Sequence, residues 1–178
     1  MRRLISSSLM SVNGVIGSPH EWAKEFDEAT AAAAQRQLEG AHAMLMGRGT
    51  YEVFSRLWPN VDGAYASTIN AIRKYVFSST LESAEWTNSA IVKDDAAAAV
   101  AKLKREGDDD LVIYGHGRLG RSLLEHRLID ELRVMIFPRF VSSGTLMFHE
   151  GEAASLEHVD TTTLQTGVVV LTYRPAGD

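Results

Sequence analysis

Three short stretches place glycines, hydroxyls or a guanidinium directly after an apolar run. In VIYGHGRLGRSLLE, residues 112–125, the glycines at 115, 117 and 120 read G-x-G-x-x-G between a strand-like run and a helix-like one. LMGRGTYEVF repeats the design: an apolar run, then Gly47, Arg48, Gly49 and Thr50, then a helical pattern. In VFSSTL, the hydroxyls of Ser78, Ser79 and Thr80 follow a strand. Such turns leave backbone N–H groups free at a helix start, where the dipole adds partial positive charge. Glycines there let a diphosphate come close. Arg48 adds a planar, permanently charged donor suited to phosphate, and Thr50 adds a hydroxyl. Taken alone, the glycine stretch reads slightly better as a tight turn without a ligand. Three such stretches at strand ends would line one edge of an α/β sheet, where such folds bind ligands.

The glycine run is a poor Rossmann fingerprint. That motif follows the first strand of its unit and needs a carboxylate about 20 positions later for the ribose hydroxyls. Here the glycines come late. After Gly120 come Glu125, Asp130 and Glu131, then LRVMIFPRFVSSG without a carboxylate.

The elements that must position these turns follow from length and pattern. A chain of 178 residues suits one domain, 1–178, with a sizeable core. A net charge of −5 argues against a general nucleic-acid binder and against attraction to an anionic membrane. The absence of cysteine removes disulfides, thiolate nucleophiles, Fe–S clusters and Cys-based zinc sites, and makes a reducing, cytoplasmic setting the default. No apolar run reaches the roughly 18 residues of a membrane span. Serines break the start MRRLISSSLMSVNG before it reads as a signal peptide. The six histidines lack metal-ligand spacing, so no metal is expected.

Strand and helix patterns alternate, which predicts a layered α/β sheet. The first strand runs from Arg3 to about Met10, followed by a loop with the turn dipeptide Asn13-Gly14. SPHEWAKEFDEATAAAAQRQLEG reads as one helix: Ser18 and Glu21 at capping-box spacing, Pro19 in the first helical position, Gly40 just past the end. AHAMLMG, KYVFSS, SAIV, LVIYG and DELRVMIFPRF read as strands. RGTYEVFSRLW (stopped by Pro59), YASTINAI, DDAAAAVAKLKREG and RLGRSLLEHRL read as helices. LVIYG is continuously apolar, as in a central parallel strand. The end of the chain reads as two long antiparallel strands joined near Thr166-Gly167. The sum is a mixed, mostly parallel sheet with flanking helices and an antiparallel C-terminal hairpin.

SVNGVIG, LMGRGTYEVFSRLW, VFSSTL and VIYGHGRLGRSLLEHRLIDELRVMIFPRFVSSGTLMF stand in the order and spacing of the motifs of the dihydrofolate reductase-like superfamily. Over nearly its whole length the chain resembles most closely the reductase domain of the bifunctional riboflavin-biosynthesis enzyme, the RibD C-terminal domain, and its standalone relatives. The resemblance implies a three-layer α/β fold, a homodimer and NADPH-dependent reduction of a C=N or C=O bond. The implied substrate is a pyrimidine- or pterin-like ring, by analogy 5-amino-6-(5-phosphoribosylamino)uracil. It implies that Gly47, Arg48 and Thr50 bind the cofactor phosphates and that Ser78 and Ser79 lie near the 2′-phosphate. Gly115, His116, Gly117, Arg118 and Leu119 would cradle the pyrophosphate, and Val12, Asn13, Gly14 and Ile16 would lie over the nicotinamide. PRFVSSGTLMF would lie near the pocket and the dimer contact. The zinc deaminase domain of the bifunctional enzyme needs cysteines this chain lacks.

Four positions depart from the family pattern: Asn13 for the usual Asp, Gly49 for a frequent second Arg, Ser142 for a Gly, and His116-Gly117 for a Gly/Ser pair. They bear on NADP preference, on the substrate and on catalysis. The alternative they leave open is a catalytically inactive, NADP-binding or regulatory homodimer of the same fold.

Hydride transfer also requires a proton. EWAKEFDEA offers Glu21, Glu25, Asp27 and Glu28. Asp27 lies five residues past Trp22, near the spacing of true dihydrofolate reductases, and is the candidate acid. The competing reading is an ordinary acidic first turn of a helix. Trp22, Phe26 and Trp58 are candidates for a flat pocket around a heteroaromatic ring, or are simply core. Tyr51 and Phe54 are expected in the core, and His116 against phosphate or solvent.

Overall fold

Residues 1–149 and 153–177 are described by the computed structural model. The strands are β1 (Leu4–Ser11), β2 (Ala41–Gly47), β3 (Arg73–Phe77), β4 (Ser89–Val92), β5 (Asp110–Tyr114), β6 (Glu131–Phe137), β7 (Leu156–Thr163) and β8 (Val169–Pro175). The helices are α1 (Pro19–Trp22), α2 (Glu28–Leu38), α3 (Arg48–Leu57), α4 (Ala64–Ala71), α5 (Ala96–Arg105) and α6 (Arg118–Glu125), with a 3₁₀ turn at Trp58–Asn60. One sheet holds all eight strands in the order β4-β3-β2-β5-β1-β6-β8-β7. The pairings among β1 to β6 are parallel, and β8 joins β6 and β7 antiparallel. This is the expected mixed, mostly parallel sheet with its C-terminal hairpin. No helix among the described residues is long and apolar enough to cross a membrane.

Strand periodicity sorts the core into two layers. Along β2, Met44 and Met46 face one side while Ala43 and Leu45 face the other, all fully buried. The first side is covered by α2, α3 and α4 through Leu38, Tyr51 and Ile69. The second is covered by α5 and α6 through Val100 and Leu123. Burying a Leu- or Met-sized side chain contributes about 1.5–3 kcal/mol, so both layers are needed to hold the central strands.

The helix expected from Ser18 to Gly40 is broken. Ser18 has φ 46° and its side chain caps nothing, and α1 stops at Trp22. The chain turns because Trp22 is drawn into the core: its indole N–H donates to Gly17 O at 2.7 Å and its ring meets Phe137 edge-on at 5.8 Å. The helix restarts at Asp27, whose carboxylate accepts from the Thr30 N–H at 2.9 Å. Its far end is as expected, with Gly40 at φ 83° just past the C-cap.

Lys74 on β3 is fully buried and has no carboxylate partner among the described residues. Its ammonium donates to the carbonyls of Asn70 (2.7 Å), Ile72 (2.7 Å) and Thr87 (3.0 Å) and lies 4.3 Å from the Trp86 ring centroid. It thereby ties the end of α4 and the approach to β4 to the sheet. Burial pushes this ammonium down to about 8 from its ordinary 10.5. Lys74→Met leaves three carbonyls without a donor and is expected to cost about 2–4 kcal/mol in a denaturant melt. Between about pH 8 and 10.5 the unfolded chain holds this proton more tightly than the folded one. Wild-type stability therefore rises with pH across that window relative to Lys74→Met. A pH series of paired melts checks the sign.

Candidate functional site

Because β3, β2, β5 and β1 are parallel neighbours, their C-terminal ends emerge along one edge. That edge carries the 12–18 loop after β1, the Gly47-Arg48-Gly49 turn after β2, the Ser78-Ser79-Thr80 turn after β3 and the Gly115–Gly117 turn after β5. The chain leaves β2 toward β3 on one side and leaves β5 toward β6 on the other. The two glycine turns therefore flank the point where connections diverge, which is where open α/β sheets form a ligand crevice.

The helices after β2 and β5 start without local caps. Their N-cap residues, Gly47 and Gly117, have no side chain to offer, and neither first turn contains an acidic residue. By contrast, α2 and α5 are capped by the carboxylates of Asp27 and Asp95. Two neighbouring helix starts thus present unpaired N–H groups and partial positive charge. Space is open in front of them: a Cβ at Gly47, Gly49 or Gly117 would meet nothing within 4 Å. Gly115 is a different case. It has φ +82°, and a Cβ there would stand 3.3 Å from Thr50 Oγ1. Only glycine lets the β5 turn pass this close to Thr50. Gly47 and Thr50 after β2 and Gly115, Gly117 and Arg118 after β5 therefore stand at neighbouring strand ends, joined by the close approach of Gly115 to Thr50.

Arg48 bridges two strand ends. Its Nη1 donates to Thr80 Oγ1 at 2.8 Å and its Nε to Glu52 Oε1 at 2.6 Å, with its side chain half exposed. Ser78 Oγ accepts from the N–H groups of Thr80 (3.3 Å) and Leu81 (3.0 Å), so it shapes the turn, while Ser79 is exposed. A cation, an exposed hydroxyl and a second hydroxyl on Thr80 make a patch suited to a phosphate monoester. Thr80 belongs to the expected hydroxyl turn, whereas Glu52 is not among the expected site residues. The i,i+4 spacing of Glu52 from Arg48 was the signal for the ion pair.

The loop after β1 is stitched to the segment after β6. Asn13 Nδ2 donates to Val141 O (2.8 Å), and Asn13 Oδ1 accepts from Val141 N (3.0 Å) and from Ser11 Oγ (2.8 Å). Ile16 N donates to Thr145 O at 2.8 Å, and Met147 N donates to Gly14 O at 2.9 Å. Asn13 thus holds the turn, and Val12 stands half exposed at its tip. Ile16 and Leu119 pack on the second core layer.

One expectation needs correction. His116 does not face phosphate or solvent with its ring: it is 2% exposed, packed where a Cβ on Gly120 would come within 3.0 Å of its Nδ1. Only its backbone can serve the expected cradle. Asp27 is placed as the cap of α2. It is exposed and accepts from both Thr30 N and Thr30 Oγ1 at 2.9 Å. Those hydrogen bonds hold its carboxyl below the usual range, so it is ionised at neutral pH. Its contribution to stability is present above the ordinary carboxylate range and lost as pH falls through its lowered value. Asp27→Asn is expected to flatten the acid limb of a stability–pH curve and to leave any turnover unchanged. Glu25, two residues earlier, is tied to Arg139 at 2.6 Å, which also lowers its carboxyl.

The aromatic expectations divide. Trp22 and Tyr51 are core. Phe26 and Trp58 join one cluster with Phe54, Tyr65 and Tyr114. Tyr65 and Tyr114 were not anticipated, since no local spacing links α4 to the end of β5.

Comparison with known proteins agrees with this architecture. A Shewanella sp. PV-4 protein provisionally assigned to riboflavin biosynthesis superposes with a TM-score of 0.78 at 22% identity, covering 98% of this chain and 99% of that one. The Thermotoga maritima diaminohydroxyphosphoribosylaminopyrimidine deaminase/5-amino-6-(5-phosphoribosylamino)uracil reductase gives 0.70 at 12% identity over 98% of this chain and 57% of that one. Enterococcus faecalis dihydrofolate reductase, solved with NADP(H), gives 0.65 at 15% identity over 98% and 97%. At these identities the likeness shows a shared dihydrofolate reductase-like fold. The family model of the RibD C-terminal domain matches residues 2–170, and the chain therefore belongs to the RibD C-terminal domain family.

Proposed function

We propose that this protein is an NADPH-dependent reductase that transfers a hydride to a pyrimidine- or pterin-like ring. The observation that carries the reading is the pair of uncapped, glycine-opened helix starts flanking the divergence point of the sheet, with Arg48 beside them. The likeness to a dihydrofolate reductase solved with NADP(H) supports it.

Bound at this edge, the cofactor supplies the hydride. The chain supplies binding and placement. Gly47, Thr50, Gly115, Gly117 and Arg118, with the backbone of His116 and Leu119, hold the pyrophosphate. Arg48, Ser79 and Thr80 hold the 2′-phosphate, with Ser78 shaping their turn. Val12, Asn13, Gly14 and Ile16 form the loop over the nicotinamide, kept in place by the Asn13–Val141 hydrogen bonds. Oxidation of NADPH, followed by loss of nicotinamide absorbance, tests the reading against a panel of pyrimidines and pterins. Turnover of at least one is expected. Binding without turnover would favour the inactive or regulatory homodimer, a reading supported by the capping role of Asp27.

A homodimer in a reducing, cytoplasmic setting belongs to the same proposal. Its support is β7, an edge strand with all eight residues exposed, and the exposed Phe140, Leu146 and Phe148. Sedimentation is expected to give twice the chain mass of 19.5 kDa.

A further inference from the structure

Five aromatic side chains from separate elements meet beside the turn that follows β5. Trp58 stands edge-on to Tyr65 at 5.0 Å between ring centroids and to Phe54 at 6.0 Å. Phe26 lies 6.2 Å from Tyr65, and Phe54 lies 6.1 Å from Tyr114. Tyr114 immediately precedes Gly115, so the cluster adjoins the dinucleotide cradle.

A purely structural cluster would use up its own hydrogen bonds. This one does not. The hydroxyls of Tyr65 and Tyr114 are 3.4 Å apart and have no other partner among the described residues. Two hydroxyls carry two protons and share one hydrogen bond, so one O–H is left to donate. The Trp58 indole N–H is buried and has no acceptor among the described residues. Burial keeps both phenols protonated, with Tyr65 pushed up to about 12 and Tyr114 well above its ordinary value. Tyr114 remains partly exposed at the sheet edge. The carboxylates flanking Phe26 in sequence, Glu25 and Asp27, are engaged by Arg139 and Thr30. The cluster therefore holds two donors with no acceptor among the described residues, the Trp58 indole N–H and one tyrosine hydroxyl, beside a Glu25 carboxylate whose Oε1 is held by Arg139 and whose Oε2 is buried without a partner.

Resting on the reductase reading above, we propose that Trp58 Nε1 and the spare hydroxyl of the Tyr65–Tyr114 pair hold the acceptor edge of a flat, uncharged ring bearing a carbonyl or imine. These hydrogen bonds draw electron density onto the ring heteroatom and leave the neighbouring carbon open to hydride. The tyrosine pair thus polarises the acceptor atom by hydrogen bonding and keeps its own protons, and the proton that completes the reduction comes from solvent water.

The test is calorimetric titration of the full chain, first with NADPH, then with 6-aminouracil added to the NADPH-saturated protein. Wild type is expected to bind this neutral pyrimidinedione saturably. Trp58→Phe and Tyr114→Phe are each expected to weaken it about tenfold, the loss of one buried hydrogen bond, and to leave NADPH affinity unchanged. Tyr65→Phe removes the shared proton and is expected to weaken the probe less than Tyr114→Phe. Melts of the Phe variants confirm that each is folded. NADPH binding with no 6-aminouracil binding, or equal probe affinity in wild type, Trp58→Phe and Tyr114→Phe, overturns the proposal and leaves the reductase reading standing. Failure of NADPH itself to bind overturns both.

Discussion

Gly117→Asp is expected to make the protein slightly more stable and to cost it at least a hundredfold in NADPH affinity. Gly117 has an extended backbone, φ −80° and ψ −155°, which any residue adopts, and a Cβ there meets nothing within 4 Å. An aspartate can therefore cap α6 as Asp27 caps α2. Against glycine, a capping carboxylate and its interaction with the dipole contribute about 0.5–1 kcal/mol. For a chain of this size that raises Tm by roughly 1–4 °C. The same carboxylate would occupy the N–H groups offered to the pyrophosphate and repel it. Two unit charges about 4 Å apart at a protein surface interact by roughly 4 kcal/mol, ample for a hundredfold loss. Gly117→Asn caps without charge and is expected to keep most of the affinity, which separates repulsion from crowding. A thermal melt and an NADPH titration on the same samples read the opposite signs. A glycine kept only for the turn would lose neither cofactor nor stability in either variant.

Arg48→Ala is expected to weaken NADPH by roughly 10–100-fold and NADH by no more than about twofold, the loss expected for charge-assisted contacts to one phosphate. Arg48 is held across the ends of β2 and β3 by Thr80 at 2.8 Å, so its guanidinium is already oriented. Glu52 competes for it at 2.6 Å. An exposed ion pair of this kind is worth about 0.2–1 kcal/mol, so Glu52→Gln is expected to strengthen NADPH by up to about fivefold. Both effects shrink at high salt. Equal losses for the two nucleotides in Arg48→Ala would move the guanidinium from the 2′-phosphate to a group both cofactors share.

Much of this architecture is legible in the sequence. The layered sheet followed from apolar runs such as AHAMLMG and LVIYG, because buried parallel strands need no polar face. The uncapped helix starts followed from Gly47 and Gly117, because a missing side chain is itself a sequence signal. The break between α1 and α2 was hidden. Ser18, Pro19 and Glu21 imitate a helix start, and the pull of Trp22 toward Phe137 is a contact across more than a hundred residues. The burial of His116 is not legible in the sequence, because a residue between two glycines has no periodicity to show which way it faces. The Tyr65–Tyr114 hydroxyl pair spans 49 positions and joins a helix to a strand, so only folding brings it together.

The central claim is that the sheet edge around Gly47, Arg48, Gly115 and Gly117 is an NADPH site. Its most direct test is equilibrium titration of the purified protein with NADPH and with NADH, followed by calorimetry. Saturable binding at one site per chain, tighter for NADPH than for NADH, is the predicted result. No saturable heat with either nucleotide would contradict the account and leave a dihydrofolate reductase-like fold whose open glycine cradle serves some other anion.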